Sequence, residues 1–434
     1  MRFKVLKGKR VKEVRFDVDA DKSISHRCAI FSLLTDGVNR FKNYLPGEDT
    51  RHSLKIAEQL GATVTLNQLK NGDLEVEIVP PSKIKEPTDI LYCGNSGTTI
   101  RIYSGLLAGV EGFFVLSGDR YLNRRPMGRV VNPLRQIGAK IEGRADGKYP
   151  PLGIRGGKLK RFKYHSPISS AQVKSALILA GLQGEGDSYY REPTLSRDHT
   201  ERMLKGMGVG LKEEKGWIKI PSLKGKRLPS LSFQIPNDPS SGFFFGVWAA
   251  ITGNKAIIPN ITLNPTRVEG YKVLERMGAR VEFYLEEDRY EPVGTIVVEG
   301  RELKGIEVMD KIPWLIDEIP ALAMAMAVAK GVSIVRRAKE LRVKESDRIR
   351  KVVENLRKFG IQAEELEDGF IIEGGTPRGG VVVESGGDHR IAMGFAILGT
   401  VTGEVEITEG ESINTSFPSF FQLFSQIGQI EPVG

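Results

Sequence analysis

Six times in this 434-residue chain an amphipathic stretch closes on the same pentad, apolar–Gly–x–x–apolar. The copies begin at Leu60-Gly61-Ala62-Thr63-Val64 and recur as Ile137-Gly138, Met207-Gly208, Met277-Gly278, Phe359-Gly360 and, in degenerate form, Ile427-Gly428. The glycines stand at 61, 138, 208, 278, 360 and 428, in steps of 77, 70, 70, 82 and 68. Self-similarity at a nearly fixed period constrains the architecture before any single residue does. A glycine just past a helix end supplies the left-handed conformation that other residues avoid. Each pentad therefore predicts the end of a helix and the start of a strand.

A second helix type recurs between the pentads. It is apolar nearly all round, so it belongs inside. Its copies start near Ser23, Ser96, Ser170, Ser241, Glu318 and His389, in steps of 73, 74, 71, 77 and 71, the same period again. After each comes a β-branched segment such as Val332-Ser333-Ile334-Val335. The other helix type keeps one apolar face, as Ile349, Val352, Val353, Leu356 and Phe359 do in the fifth unit. Alternating strands follow it, for example Val281–Tyr284 and Thr295–Val298. Each unit thus reads buried helix, strand, amphipathic helix, strand, strand. Six such units fill two domains of three. Joins are expected at 18–21 and at 234–238, where Pro236 and Pro239 interrupt the pattern.

The formal net charge is +9, which suits an anionic partner, either nucleic acid or a phosphorylated small molecule. Two cysteines, Cys28 and Cys93, give no disulfide framework and fit a reducing compartment. The first sixteen residues have no apolar run of signal-peptide length, and the longest apolar run, Ala321–Ala329, is too short to span a bilayer. A cytoplasmic location is expected.

The cations are placed unusually. A helix N-terminus is the positive pole of the helix dipole and disfavours a nearby cation. Yet Lys22, Arg125, Arg197, Arg267, Lys344, Arg348 and Arg390 all fall within about a turn of an expected helix start. A bound phosphate or carboxylate would reverse the sign of that interaction. The bland alternative is a set of ordinary Ser, Asn and Asp caps beside solvated cations. In the first motif Lys22 would precede the helix, Ser23 would cap it and Arg27 would lie one turn in. Asn95-Ser96-Gly97 opens the second buried helix, where Gly97 permits close backbone approach, and Ser170-Ala171-Gln172 opens the third with a hydroxyl and an amide. Asp317 reads equally as a cap or, in a cationic cleft, as a base. Lys344 and Arg348, four apart, would share a helical face with Glu345 beside them. The five histidines and two cysteines show no metal-ligand spacing, and no phosphate-binding glycine loop follows a strand.

Seven segments taken in order carry a resemblance: Lys22-Ser23 with Ser25 and Arg27; Asn95-Ser96-Gly97-Thr98; Arg125-Pro126-Met127; Ser170-Ala171-Gln172; Ser196-Arg197-Asp198-His199-Thr200-Glu201; Arg342 through Arg348; and Asp388-His389-Arg390-Ile391-Ala392-Met393. The chain resembles the 5-enolpyruvylshikimate-3-phosphate synthase family over essentially its whole length. The Ser-Ala-Gln and Ser-Arg-Asp-His-Thr runs look like its bacterial class II branch.

The resemblance implies a two-domain inside-out α/β barrel of six βαβαββ units, with helices buried inside the sheets. The domains would be 1–18 with 237–434, and 19–236, with the active site in the cleft between them. It implies transfer of enolpyruvyl from phosphoenolpyruvate to the 5-hydroxyl of shikimate 3-phosphate, in a monomer with no cofactor and no metal. Lys22, Ser23, Arg27, Ser170, Gln172, Arg197, Asp317 and Lys344 would hold shikimate 3-phosphate. Lys22, Gly97, Arg125, Gln172, Arg348 and Arg390 would hold phosphoenolpyruvate. Asp317 would take the hydroxyl proton, and Glu345 and Lys22 would serve the enolpyruvyl methylene. The family's glyphosate-tolerant forms often carry alanine where this chain has Gly97. Thr415 stands where lysine is frequent, and Glu340 where an asparagine can touch the substrate phosphate.

Two other functions are compatible with parts of the pattern. UDP-N-acetylglucosamine enolpyruvyl transferase shares fold and chemistry but normally carries a cysteine in the loop that here runs Ser117–Arg125 without one. A basic repeat protein binding nucleic acid is allowed by charge alone, but no aromatic stacking platform accompanies the cations.

Overall fold

The computed structural model describes residues 1–69, 74–288 and 290–433. The chain forms two compact units. One is continuous, Ala20–Ile235, and the other is split, Met1–Asp19 with Pro236–Gly434.

Among the described residues, six four-stranded sheets, three to a unit, repeat one plan. In the second repeat the strand Leu91–Tyr92 leads into the helix Gly97–Ala108, and the strand Gly112–Ser117 returns parallel to Leu91–Tyr92. The helix Gly128–Gln136 follows. The strands Lys140–Gly143 and Tyr149–Gly156 then pair antiparallel with each other, and Tyr149–Gly156 pairs antiparallel with Gly112–Ser117. All six sheets show one parallel and two antiparallel pairings in this order. A parallel pair needs a crossover, and the apolar helix supplies it in the second, third, fifth and sixth repeats, where it directly joins the two parallel strands.

Each unit is completed from a distant part of the chain. Ser232–Gln234 pairs parallel with Asn39–Lys42 and provides the leading strand of the first repeat. Arg2–Gly8 pairs with both Val405–Ile407 and Gly428–Val433 and completes the sixth. The degenerate sixth pentad also differs in structure. Gly428 opens a strand, whereas Gly61, Gly138, Gly208, Gly278 and Gly360 all follow helices with φ between 78° and 122°. The expected left-handed glycine is thus found five times, and the sixth is a correction.

The buried helices are the cores of their units. In Pro239–Thr252, every residue through Ala250 is buried. Phe243, Phe244, Phe245, Val247 and Trp248 lie there, each worth roughly 1.5–3 kcal/mol on burial. The amphipathic helices pack outside them, and in Arg348–Lys358 the residues Ile349, Val352, Val353 and Leu356 face inward.

Alanine scanning of the pentads should separate conformation from packing. A Cβ on Gly208 meets no atom within 4 Å, so Gly208→Ala should cost only the left-handed backbone, about 1–2 kcal/mol. A Cβ on Gly278 would lie 2.5 Å from the Glu302 carbonyl oxygen, so Gly278→Ala should cost clearly more in urea unfolding. Equal losses would contradict this assignment.

Candidate active site

The buried helices open with polar residues, and within each unit these openings gather into a cluster. In the continuous unit the helices are Lys22–Ser32, Gly97–Ala108 and Ala171–Leu182. Asp21 caps the first, accepting from the Ile24 N–H at 2.8 Å. Ser23 is therefore not the cap, and Lys22 is the first helical residue rather than a preceding one. An aspartate accepts the N–H bond and offsets the dipole together, which a serine cannot do.

Lys22 Nζ lies 2.5 Å from Asp49 Oδ2, a carboxylate only 5% exposed. Ser96 caps the second helix through the Thr99 N–H at 3.0 Å, leaving Gly97 as its first residue. Ser170 caps the third through Val173. Gln172 bridges two helices. Its Nε2 donates to Thr98 Oγ1 at 3.0 Å, and its Oε1 accepts from the Arg101 guanidinium.

Arg125 is 5% exposed and lies over the Gly97 backbone, since a Cβ built on Gly97 would fall 2.6 Å from an Arg125 terminal nitrogen. Glycine thus leaves room there for a guanidinium, which any side chain would displace. Behind this surface His26 Nδ1 meets Ser53 Oγ at 2.8 Å, and Ser53 meets Thr99 at 2.9 Å. Burial, helped by the nearby charges of Lys22 and Arg27, holds the His26 pKa well below its usual value, so the ring is neutral. Arg27 is used as a tie. It donates to Ser23 O, Thr200 Oγ1 and Ser175 Oγ at 2.8–2.9 Å and is 3% exposed. Arg197 sits in the loop before the helix His199–Gly206, 8% exposed.

In the split unit the three helices are Pro239–Thr252, Ile319–Val328 and His389–Thr402. Asp317 is not a cap, because Glu318 occupies that position. Its Oδ1 is 3.3 Å from Arg348 and 3.5 Å from Arg390. Arg348, 1% exposed, also reaches Glu345 at 2.8 Å and Asp388 at 2.9 Å. Burial alone would lower its pKa, but Asp388, Glu345 and Asp317 together outweigh that and raise it, so the guanidinium stays charged.

Lys344 departs from expectation. It follows the 3-10 turn Lys339–Val343, and the helix begins only at Arg348 after the Asp347 cap. Lys344 and Arg348 therefore share no helical face, and Lys344 lies 3.5 Å from Glu340. Arg267 is also reassigned. It is 1% exposed and pairs with Asp238 at 2.9 Å, a structural tie.

The cations at the helix starts are thus answered in part by internal carboxylates, which the sequence pattern did not disclose. Lys22, Gly97, Arg125, Ser170 and Gln172 share one cluster, joined by Asp49 and Arg101, which local spacing missed. Asp317, Glu345, Arg348 and Arg390 share the other. Such an arrangement of cations, hydroxyls and amides at helix N-termini can bind anions, with carboxylates beside them to move protons. Among the described residues no group of three His, Cys, Asp or Glu side chains could hold a metal ion, and no helix is long and apolar enough to cross a membrane.

The fold is that of a two-domain inside-out α/β protein, with polar clusters at its helix starts whose chemistry suits anions. The family EPSP synthase (3-phosphoshikimate 1-carboxyvinyltransferase) matches residues 7–424. The chain is 55% identical over 416 residues to the 3-phosphoshikimate 1-carboxyvinyltransferase of Wolinella succinogenes, covering 95% of this chain and 94% of the other. It is 56% identical over 412 residues to that of Campylobacter fetus, covering 95% of each. The solved EPSP synthase of Acinetobacter baumannii superposes with a TM-score of 0.84 at 38% identity, covering 99% of this chain and 100% of that one. The chain belongs to the EPSP synthase family.

Proposed function

We propose that the chain transfers the enolpyruvyl group of phosphoenolpyruvate to the 5-hydroxyl of shikimate 3-phosphate, giving 5-enolpyruvylshikimate 3-phosphate and phosphate. The carrying observation is a family match over residues 7–424 in a chain that has both ionic clusters. The carbon–oxygen bond to phosphate breaks, a new bond forms to the 5-oxygen, and the hydroxyl proton leaves.

Lys22, Ser23, Arg27, Ser170, Gln172, Arg197, Asp317 and Lys344 hold shikimate 3-phosphate in this reading. Lys22, Gly97, Arg125, Gln172, Arg348 and Arg390 hold phosphoenolpyruvate. Both substrates are anions, and the cations offset their repulsion. Asp317 accepts the hydroxyl proton. Glu345 and Lys22 serve the enolpyruvyl methylene, whose neighbouring carbon becomes cation-like on protonation and is stabilised by a carboxylate. Holding the two substrates in register supplies a further share of the acceleration. The enzyme is proposed to act in the cytoplasm as a monomer, without nucleic acid. Proton NMR of the reaction should show vinyl signals on a shikimate product. Pyruvate and phosphate without that product would contradict the assignment.

Glyphosate should compete with phosphoenolpyruvate. Gly97→Ala would push its methyl into the Arg125 guanidinium, the far end of a flexible side chain that must shift. The variant should raise the phosphoenolpyruvate KM and raise the glyphosate inhibition constant by a larger factor, because the longer ligand loses more room. Equal factors would show that Gly97 does not set the choice.

A further inference from the structure

We infer that Lys174 is a positioning residue for shikimate 3-phosphate, an inference that rests on the placement of Ser170, Gln172 and Arg197 proposed above. Lys174 lies in the first turn of the helix Ala171–Leu182, and its side chain is 0% exposed. Burial and the helix dipole both oppose a cation there. Its ammonium is instead held 3.1 Å from Glu192, 2.8 Å from Glu201 and 3.2 Å from the Ser196 carbonyl oxygen. Two carboxylates around one ammonium raise the lysine pKa against the effect of burial. For Glu201 burial outweighs its share of the lysine, and its pKa is also raised.

The triad lies on the elements proposed to bind substrate and ties them together, with Lys174 on the helix Ala171–Leu182, Glu192 in the loop before Arg197 and Glu201 in the helix His199–Gly206. Gln172, two residues earlier, faces the helix Gly97–Ala108, so Lys174 points the other way. Glu192 folds the loop 192–198 around its own carboxylate, accepting from the Ser196 N–H at 2.7 Å and the Ser196 hydroxyl at 2.8 Å. The next residue is Arg197. Lys174 thereby pins the loop that presents Arg197 to the helix turn that presents Ser170 and Gln172. A second tie runs alongside, from Ser175 to Thr200 at 2.7 Å and from both to Arg27. Packed apolar side chains of similar volume would fasten two helices at least as well as a buried ion group. What ions and hydrogen bonds add is a directional register for one loop.

The test is calorimetric binding of shikimate 3-phosphate and steady-state kinetics for Lys174→Met, Lys174→Arg, Glu192→Gln and Arg197→Ala, with thermal melting of each. Lys174→Met should weaken shikimate 3-phosphate by about tenfold, leave the phosphoenolpyruvate KM within about twofold at saturating shikimate 3-phosphate, and be partly rescued in Lys174→Arg. Glu192→Gln, which keeps the Lys174–Glu201 pair, should show the same selective loss to a smaller degree. A lowered melting temperature with unchanged shikimate 3-phosphate affinity would overturn the inference. If Lys174→Met does not fold, Glu192→Gln decides in the same way. Weakened binding in Arg197→Ala beside unchanged binding in the Lys174 and Glu192 variants would overturn this inference alone. Unchanged binding in Arg197→Ala would overturn the placement of Arg197 and the inference with it.

Discussion

Asp317→Asn should lower kcat by about 10²–10⁴-fold, the usual contribution of a positioned general base, while shikimate 3-phosphate still binds. Asp317 precedes its helix, and Glu318 takes the cap position. The substitution therefore removes no cap, and any loss of melting temperature should come from the ion pairs with Arg348 and Arg390 alone. Asp317 stands within 3.5 Å of two arginines that belong to different helices, one of which, Arg348, is buried with Glu345 and Asp388. Asparagine keeps the shape and an oxygen that can accept from Arg348, and it leaves the backbone carbonyl that accepts from Arg390, but it cannot accept the proton. Single-turnover measurements separate the two roles. Normal chemistry with lost binding would make Asp317 a binding residue.

Removal of the Lys22 ammonium should be nearly as damaging. A charge-assisted contact is worth about 1.5–3 kcal/mol, and more if the bound anion is left unpaired. Lys22→Met carries a second cost that the sequence did not announce. It strands the Asp49 carboxylate, 5% exposed, and breaking a buried pair costs about 3–5 kcal/mol. The single variant should therefore lose stability as well as turnover. Lys22→Met combined with Asp49→Asn should recover most of the stability and none of the turnover. Arg125→Ala removes the guanidinium that lies over Gly97 and should raise the phosphoenolpyruvate KM more than the shikimate 3-phosphate KM. Normal kcat/KM in either the double variant or Arg125→Ala would refute the cluster's role.

The repeat was legible because its signals are local. A glycine in the left-handed region and a helix apolar on every side leave marks in a few adjacent residues, and five of the six pentad glycines have the expected conformation. The leading strands were invisible to pattern, since Leu91–Tyr92 and Glu307–Val308 are two residues long and show no period. The sixth repeat read poorly because its missing strand lies at the other end of the chain, at Arg2–Gly8.

The clusters followed the same division. Cations at helix starts conflict with the dipole, and that conflict can be read within one turn. Their countercharges cannot. Asp388 is forty residues from Arg348, and Asp49 sits in the first turn of its own helix, where an acid is unremarkable. Arg101 lies three residues beyond the Asn95–Thr98 motif, one turn into an apolar helix, and only the fold shows that it meets Gln172. Lys344 was misplaced because a charged run with helical spacing also fits a 3-10 turn and a cap.

The most direct test of the central claim is phosphate release from phosphoenolpyruvate by the purified chain, with shikimate 3-phosphate or UDP-N-acetylglucosamine as acceptor. Release that depends on shikimate 3-phosphate, stays at background with the nucleotide sugar and is lost in Asp317→Asn is the predicted result. Release with the nucleotide sugar alone, or none with either acceptor from a folded protein, would contradict it.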